Sequence, residues 1–150
     1  MIWTPHVTVA AIVENEGKFL VVEEHIDNKI VYNQPAGHLE KNETLLQAVI
    51  REVREETARR FIPDKLVGVY RMQIDETGIT YLRFCFAGRC TDHQPGQQLD
   101  KEIIQTLWLS QNELHARHDA LRSPLVLQCI DDYVSGQYYS LDILKDLGNI

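Results

Sequence analysis

One stretch of this chain has helical periodicity, and most of what surrounds it has the composition of strands. Leu45, Val49 and Val53 recur at i, i+4 and i+8, which lays one apolar stripe along a helix expected over about residues 43–58, with Asn42 ahead of it as the capping residue. Pro63 bars that helix from running further. Ala58 is expected to stay right-handed, the helix passing on through Arg59 or Arg60, whose charges suit a C-terminal dipole. Whatever else the chain builds must therefore cover one face of a single central helix.

The covering material is β-rich. His6 to Ile12 and Lys18 to Val22 are β-branched, strand-sized runs on either side of Asn15-Glu16-Gly17, which predicts a hairpin. A third, weaker strand, Ile26 to Tyr32, goes with the Asp27-Asn28 turn signal and stops at Gln34-Pro35, beyond which a loop is expected. Leu66 to Ile74 and Ile79 to Cys90 flank Asp75-Glu76-Thr77-Gly78 and should pair. Thr91 to Gln98, with Pro95-Gly96, is a surface loop, and Ile103 to Leu109 returns to strand composition. Ser110-Gln111-Asn112-Glu113 is a capping box for a short helix, while Ser123-Pro124 supplies an N-cap and first-turn proline for a last helix closing near Gly136. Strands that do not alternate strictly with helices make this an α+β layered domain.

At 150 residues, 44% hydrophobic and 25% charged, the chain is expected to form one domain, 1–150, with a proper core. Its formal charge of −7 opposes attraction to a nucleic-acid backbone or an anionic membrane, so neither is an expected partner. Cys85, Cys90 and Cys129 have no disulfide or zinc-ligand spacing and fit a reducing compartment. No apolar run approaches the roughly 18 residues of a spanning helix, and the N-terminus lacks a signal-peptide pattern. The expected location is the cytoplasm.

At about 100° per residue, Glu52, Glu55 and Glu56 share one side of the helix at the margin of the apolar stripe. Like charges so spaced cost roughly 0.2 to 0.5 kcal/mol per pair in water, and more beside apolar neighbours. A cation would relieve them, and an all-oxygen set suits Mg²⁺, with Mn²⁺ also possible. Three glutamates alone are usually a solvated acidic face. Here they follow Gly37 and the Pro35 turn, where backbone amides can approach an anion.

Read together, Gly37, five residues, Glu43, seven residues, then Arg51-Glu52-Val53-Arg54-Glu55-Glu56 resemble the box of the Nudix hydrolases. Matches of this kind arise by chance in roughly one chain in 10⁵. The last two box positions depart: Ala58 stands where the family has glycine, and Arg59 where it has an apolar residue. The resemblance implies an α/β/α sandwich of mixed sheet around the box helix, and divalent-metal hydrolysis of diphosphate-linked compounds. It also implies that Glu52 and Glu56 bind the metal, that Glu55 shares in metal binding or activates water, and that Arg51 pairs with a loop carboxylate such as Glu43. Glu102, ahead of the strand at Ile103, lies where some members place an additional catalytic or metal-binding glutamate, with Asp100 a competing carboxylate.

Other residues are weighed by chemistry. Arg71 and Arg83 lie in expected strands, where a buried cation is costly, so each faces either solvent or a phosphate-holding cleft. His38 and Tyr32 flank the Gly37 loop, where they can meet a base or ring. Trp3, Tyr70, Tyr81 and Trp108 are expected as core or sheet-surface aromatics. A narrower resemblance, in Gln34-Pro35-Ala36-Gly37-His38-Leu39-Glu40, Leu121-Arg122-Ser123-Pro124-Leu125-Val126 and Ser135-Gly136-Gln137-x-Tyr139, is to a phosphatase subgroup of the family. It implies release of orthophosphate from nucleoside tri- and diphosphates and thiamine-type pyrophosphates; the expected assembly is a monomer or weak homodimer. Cleavage of ADP-ribose or a nucleotide sugar is the alternative within the family, and would need surface for a second moiety. A non-catalytic metabolite-binding module and an acidic docking domain are the alternatives outside enzymology.

Overall fold

The structure, a computed structural model, describes residues 1–150. Strands β1 (His6–Asn15), β2 (Lys18–Ile26), β3 (Lys29–Asn33) and β4 (Ala36–His38) precede helix α1 (Leu45–Thr57). After it come β5 (Arg60–Ile74), β6 (Ile79–Thr91), β7 (Ile103–Ser110), α2 (Gln111–Ala116), α3 (Leu125–Val134) and β8 (Tyr139–Ser140). The strand order is β3-β2-β1-β6-β5-β8, with β4 added to β1 and β7 to β2. The β1/β6 pair is parallel, from His6 opposite Tyr81 to Val13 opposite Gly88, and the other strand pairs are antiparallel.

β1 belongs to both leaves of this mixed sheet and is buried on both faces. Val9, Ala11 and Val13 pack with Ala48, Val49 and Val53 of α1, together with Phe61 and Phe86. Ala10 and Ile12 point the other way, into a cluster with Cys129 and Ile130 of α3, Phe19 and Val67. Successive side chains on a strand face opposite sides, so the apolar run at the start of the chain supplies both halves of the core. The architecture is α+β, helix over sheet over helix. All three cysteines are free, and no helix is long and apolar enough to cross a membrane.

The hairpin between β1 and β2 closes as expected, with Asn15 opposite Lys18 and Gly17 at a φ of 78°. Elsewhere the structure corrects the sequence expectations. The segment after Pro35 is not simply a loop: Ala36, Gly37 and His38 add to β1 opposite Ala10, Val9 and Thr8, because the proline falls between the two strands, where its carbonyl still accepts from the Ala11 amide. Thr44, not Asn42, caps α1, its hydroxyl accepting from the Gln47 amide while the Gln47 side chain accepts from the Thr44 amide. Pro63 is no helix stop. It lies inside β5 at an irregularity in the pairing with β6, the kind of place where a strand tolerates proline. Its partner Gly88 must be glycine, since a Cβ there would sit 2.1 Å from the Ile62 carbonyl oxygen. At the start of α3 the capping position falls on Pro124, not on Ser123 as expected, because the proline already has helical dihedrals and α3 begins at Leu125; the Ser123 hydroxyl still accepts from the Leu125 amide at 3.2 Å.

The largest correction is at the exit of α1. Ala58 is left-handed, at φ 57° and ψ 31°, and the helix ends at Thr57. A tertiary contact overrides the local preference. The segment after β6 folds back over the helix end, where Gln94 N donates to Ala58 O, the Gln97 side chain to Arg54 O and Asp100 N to Glu55 O. The bonds to Glu55 and Ala58 satisfy carbonyls that a longer helix would have used itself, while Arg54 O also accepts from the Ala58 amide. Left-handed alanine costs about 1 to 2 kcal/mol, and its buried methyl recovers about 0.8 kcal/mol. Ala58→Gly should therefore raise the unfolding free energy by up to about 1 kcal/mol in urea titrations, and Ala58→Val should lower it by about 2 kcal/mol. A loss of about 1 kcal/mol in the glycine variant would instead place residue 58 in the right-handed helix.

Candidate active site

The strand and helix faces around β4 enclose a cavity of about 460 Å³. Glu52 and Glu56 sit in its wall at 8% and 5% exposure, although carboxylates are rarely so covered without a partner. The partners are specific. Glu56 Oε1 accepts from the Ala36 amide at 2.9 Å, and Glu52 Oε1 accepts from Arg51 Nη1 at 2.8 Å. Burial still dominates: it pushes the Glu52 carboxyl up to about 7 and the Glu56 carboxyl well above the usual range.

Arg51 is the hub of the helix face. Its Nε and Nη2 fork onto both oxygens of Glu43 at 3.0 and 2.8 Å, and Nη2 also donates to the His38 carbonyl. Nη1 bridges Glu52 and, at 3.3 Å, Glu55. Such bidentate pairing fixes direction as well as charge, and it holds Glu43 below the ordinary carboxylate range. Glu43 in turn accepts from the Glu40 amide, so the loop into α1 is tied to the helix it precedes.

Gly37 is required by what lies above it. A Cβ there would sit 2.1 Å from the Glu52 carboxyl carbon, so the absent side chain is the space in which that carboxylate rests. Asp100, delivered by the bond from its amide to the Glu55 carbonyl, completes a cluster in which Glu52, Glu55 and Asp100 each bring one oxygen within 4.8 Å of the others. Burial, with Glu55 nearby, raises the Asp100 carboxyl. Three converging carboxylates with one guanidinium among them fit a hard divalent cation: the donors are all oxygen, and the set is electrostatically unfavourable without it.

Gly37, His38, Glu52, Glu56, Arg83 and Glu102 all line the cavity. Glu55 joins through the cluster at the rim, and Arg51 stands behind it. Arg83 faces the cleft, 6% exposed, with Nη1 donating to Gln34 Oε1 at 2.9 Å. Arg71 does not join them. It is exposed and donates to Gln73 two residues on, because its place in β5 faces outward. Tyr32 is also outside the wall, its ring under the Arg117 guanidinium. Tyr81, expected as an ordinary sheet aromatic, is in the wall, edge-on to His6 at 5.4 Å between ring centroids. Burial lowers the pKa of His38, which contacts His6 through their ring nitrogens.

Residues from distant strands and from the turn before α3 complete the cavity: Thr8, Glu24, Asn33, Met72 and Arg122. Glu24 is 3% exposed, with Oε2 accepting from Arg122 Nη1 at 3.0 Å. In sequence, Glu23-Glu24 says nothing about which carboxylate turns inward. The pairing of β2 with β7 shifts register between these two residues, and such irregularities re-aim side chains.

Comparison with known proteins agrees with this geometry. Residues 4–129 match the NUDIX domain. The chain is 45% identical over 143 residues to Phosphatase NudJ of Escherichia coli (strain K12), covering 95% of this chain and 92% of that protein. Phosphatase NudJ of Shigella sonnei (strain Ss046) matches to the same extent. Among solved structures, a NUDIX hydrolase from Nitrosomonas europaea superposes with a TM-score of 0.93 at 46% identity, covering 95% of this chain and 97% of that one. The NUDIX domain of Shewanella oneidensis NrtR, complexed with ADP ribose, shares the fold at a TM-score of 0.69 and 17% identity over 89% of each chain. With its box helix, its buried glutamates and the relatives it resembles along nearly its whole length, this chain belongs to the NUDIX family and is a Nudix hydrolase.

Proposed function

We propose that the chain hydrolyses the terminal phosphoanhydride of a small nucleoside di- or triphosphate, or of a thiamine-type pyrophosphate, in a Mg²⁺-dependent reaction that releases orthophosphate. The observation that carries this reading is the convergence of Glu52, Glu55 and Asp100 beside a cavity of about 460 Å³, a size that suits one small ligand. Support for the terminal-phosphate specificity comes from the relatives named as phosphatases, 45% identical over 95% of the chain. The protein would act in the cytoplasm, as a monomer or weak homodimer.

The residues divide the work by position. Glu52, Glu55 and Asp100 would hold the ion, with Glu56 one turn along the same helix face and its second oxygen available. When bound, Mg²⁺ supplies the positive charge that screens the phosphates from an oxygen nucleophile. Glu55, with 41% of its side chain exposed, would take a proton from the attacking water, and Glu102 is a second carboxylate in the cavity wall. Arg51 makes no substrate contact in this scheme. It positions Glu52 and Glu55 through Nη1 while Glu43 and the His38 carbonyl fix its own orientation. Gly37 and His38 shape the entry to the carboxylates, and Arg83 contacts the substrate from the sheet.

Glu56→Gln retains an oxygen for the Ala36 amide but loses a charge from the ion site. It should cut kcat/KM by about a hundredfold or more while leaving the metal-free melting temperature unchanged or higher. Near wild-type turnover at saturating Mg²⁺ would move the ion site away from this face. Gly37→Ala drives a methyl into the Glu52 carboxylate and should cost about a hundredfold in kcat, with weaker Mg²⁺ binding by calorimetry; an unchanged kcat would show that Glu52 has no part in the chemistry. For substrate class, kcat/KM measured across nucleoside di- and triphosphates, thiamine pyrophosphate and ADP-ribose should favour the terminal-phosphate compounds. If ADP-ribose exceeds all of them by about tenfold or more, the terminal-phosphate reading falls.

A further inference from the structure

Three buried polar atoms have no hydrogen-bond partner, Glu24 Oε1, Asn33 Oδ1 and Arg83 Nε, and all three belong to side chains in the wall of this one cavity. Native interiors rarely leave such atoms unpaired, because each has given up water and gained nothing. The residues are 3%, 6% and 6% exposed, and their positions are set by the sheet. Asn33 stands opposite Val22 and Glu24 opposite Val31 across the β2/β3 pair, which makes them diagonal neighbours on one face. Arg83 is reached through Gln34, the residue after Asn33, whose Oε1 takes Nη1. The second oxygen of Glu24 is already committed to Arg122. Glu24 Oε1 and Asn33 Oδ1 are terminal atoms, Arg83 Nε is the inner nitrogen of its guanidinium, and all three side chains line the cavity.

Two free acceptors beside one free donor are a pattern with a complement. An exocyclic amine offers two N–H donors, and the ring nitrogen next to it offers an acceptor. Met72, Ile74, Tyr81 and Leu125 in the same wall supply apolar and aromatic surface for the flat faces of such a ring. We infer that Glu24, Asn33 and Arg83 form a subsite that reads the amidine edge of an amino-substituted heteroaromatic ring, and that it selects substrates carrying this edge against their oxo counterparts. Glu24 and Asn33 accept from the amine, and Arg83 donates to the ring nitrogen. An oxo ring presents its carbonyl to the two acceptors, leaving both unpaired and adding repulsion between oxygens. The inference rests on the phosphohydrolase reading of the same cavity, but concerns the part of the substrate that does not react.

The test is calorimetric binding of nucleoside monophosphates, which hold no anhydride, to the full chain with Mg²⁺ present. CMP should bind more tightly than UMP, and AMP more tightly than IMP, by about tenfold or more. Glu24→Gln turns an N–H donor toward the cavity in place of an acceptor, so the CMP/UMP binding ratio should fall by about tenfold or more toward UMP. A merely structural role for Glu24 would weaken both ligands and leave that ratio alone. Should Glu24→Gln not fold, Asn33→Leu, which deletes the second acceptor, should also lower the ratio. Amino and oxo partners bound within about threefold of each other, no binding of any of the four, or a ratio unmoved by the substitution would overturn the subsite. Absence of orthophosphate release from CTP and ATP, with the binding preference intact, would instead overturn the phosphohydrolase reading and leave the subsite standing.

Discussion

Two carboxylates held nearly out of water, one helical turn apart, set the terms for the rest of this structure. Burying Glu52 and Glu56 would be prohibitively costly on a bare helix. It is tolerable because β4 supplies an amide at Ala36 and empty space at Gly37, and because Arg51 keeps a cation against Glu52. Each support needs its own. The position of β4 depends on its pairing with Thr8, Val9 and Ala10, and that of Arg51 depends on Glu43 and the His38 carbonyl. The doubly buried strand β1 is thus both the centre of the core and the base of the site.

The opposite end of the same helix shows the arrangement from the other direction. The segment that crosses the α1 terminus does two things with one set of bonds. It takes up the free carbonyls of Glu55 and Ala58, adds a second donor to that of Arg54, and carries Asp100 and Glu102 to the cavity. Ending the helix at Thr57 makes room for it, and the left-handed Ala58 is the local cost. Strain of this sort persists only where neighbouring structure holds it in place, as three hydrogen bonds do here.

Much of this was legible in the sequence. Helix α1, the first hairpin, the β5/β6 pair, the capping box of α2 and the carboxylate face are short-range patterns, and short-range patterns are what periodicity and turn chemistry report. The sequence also exposed Gly37, Arg51 and the glutamates as a spaced set. What it withheld was decided by partners distant in the chain. Ala58 yields to a loop about forty residues further on, β4 forms because β1 has a free edge, and the inward turn of Glu24 follows an irregularity against β7. Arg71 and Arg83 looked alike, both arginines in strands. Their difference lies only in which face of the sheet each one meets.

The bond between Arg122 and Glu24 spans 98 positions of sequence, and the cavity wall it closes also draws on residues from Thr8 to Leu125. No contiguous fragment shorter than this span can hold the wall together, the box helix included. Contacts so far apart in sequence carry the largest loop-closure cost and are slow to form. The pocket therefore exists only when both leaves of the sheet and the turn into the last long helix have come together, and its occupancy reports that they have. A ligand that seats there bridges the two ends of the chain and so stabilises the whole assembly, not one local element.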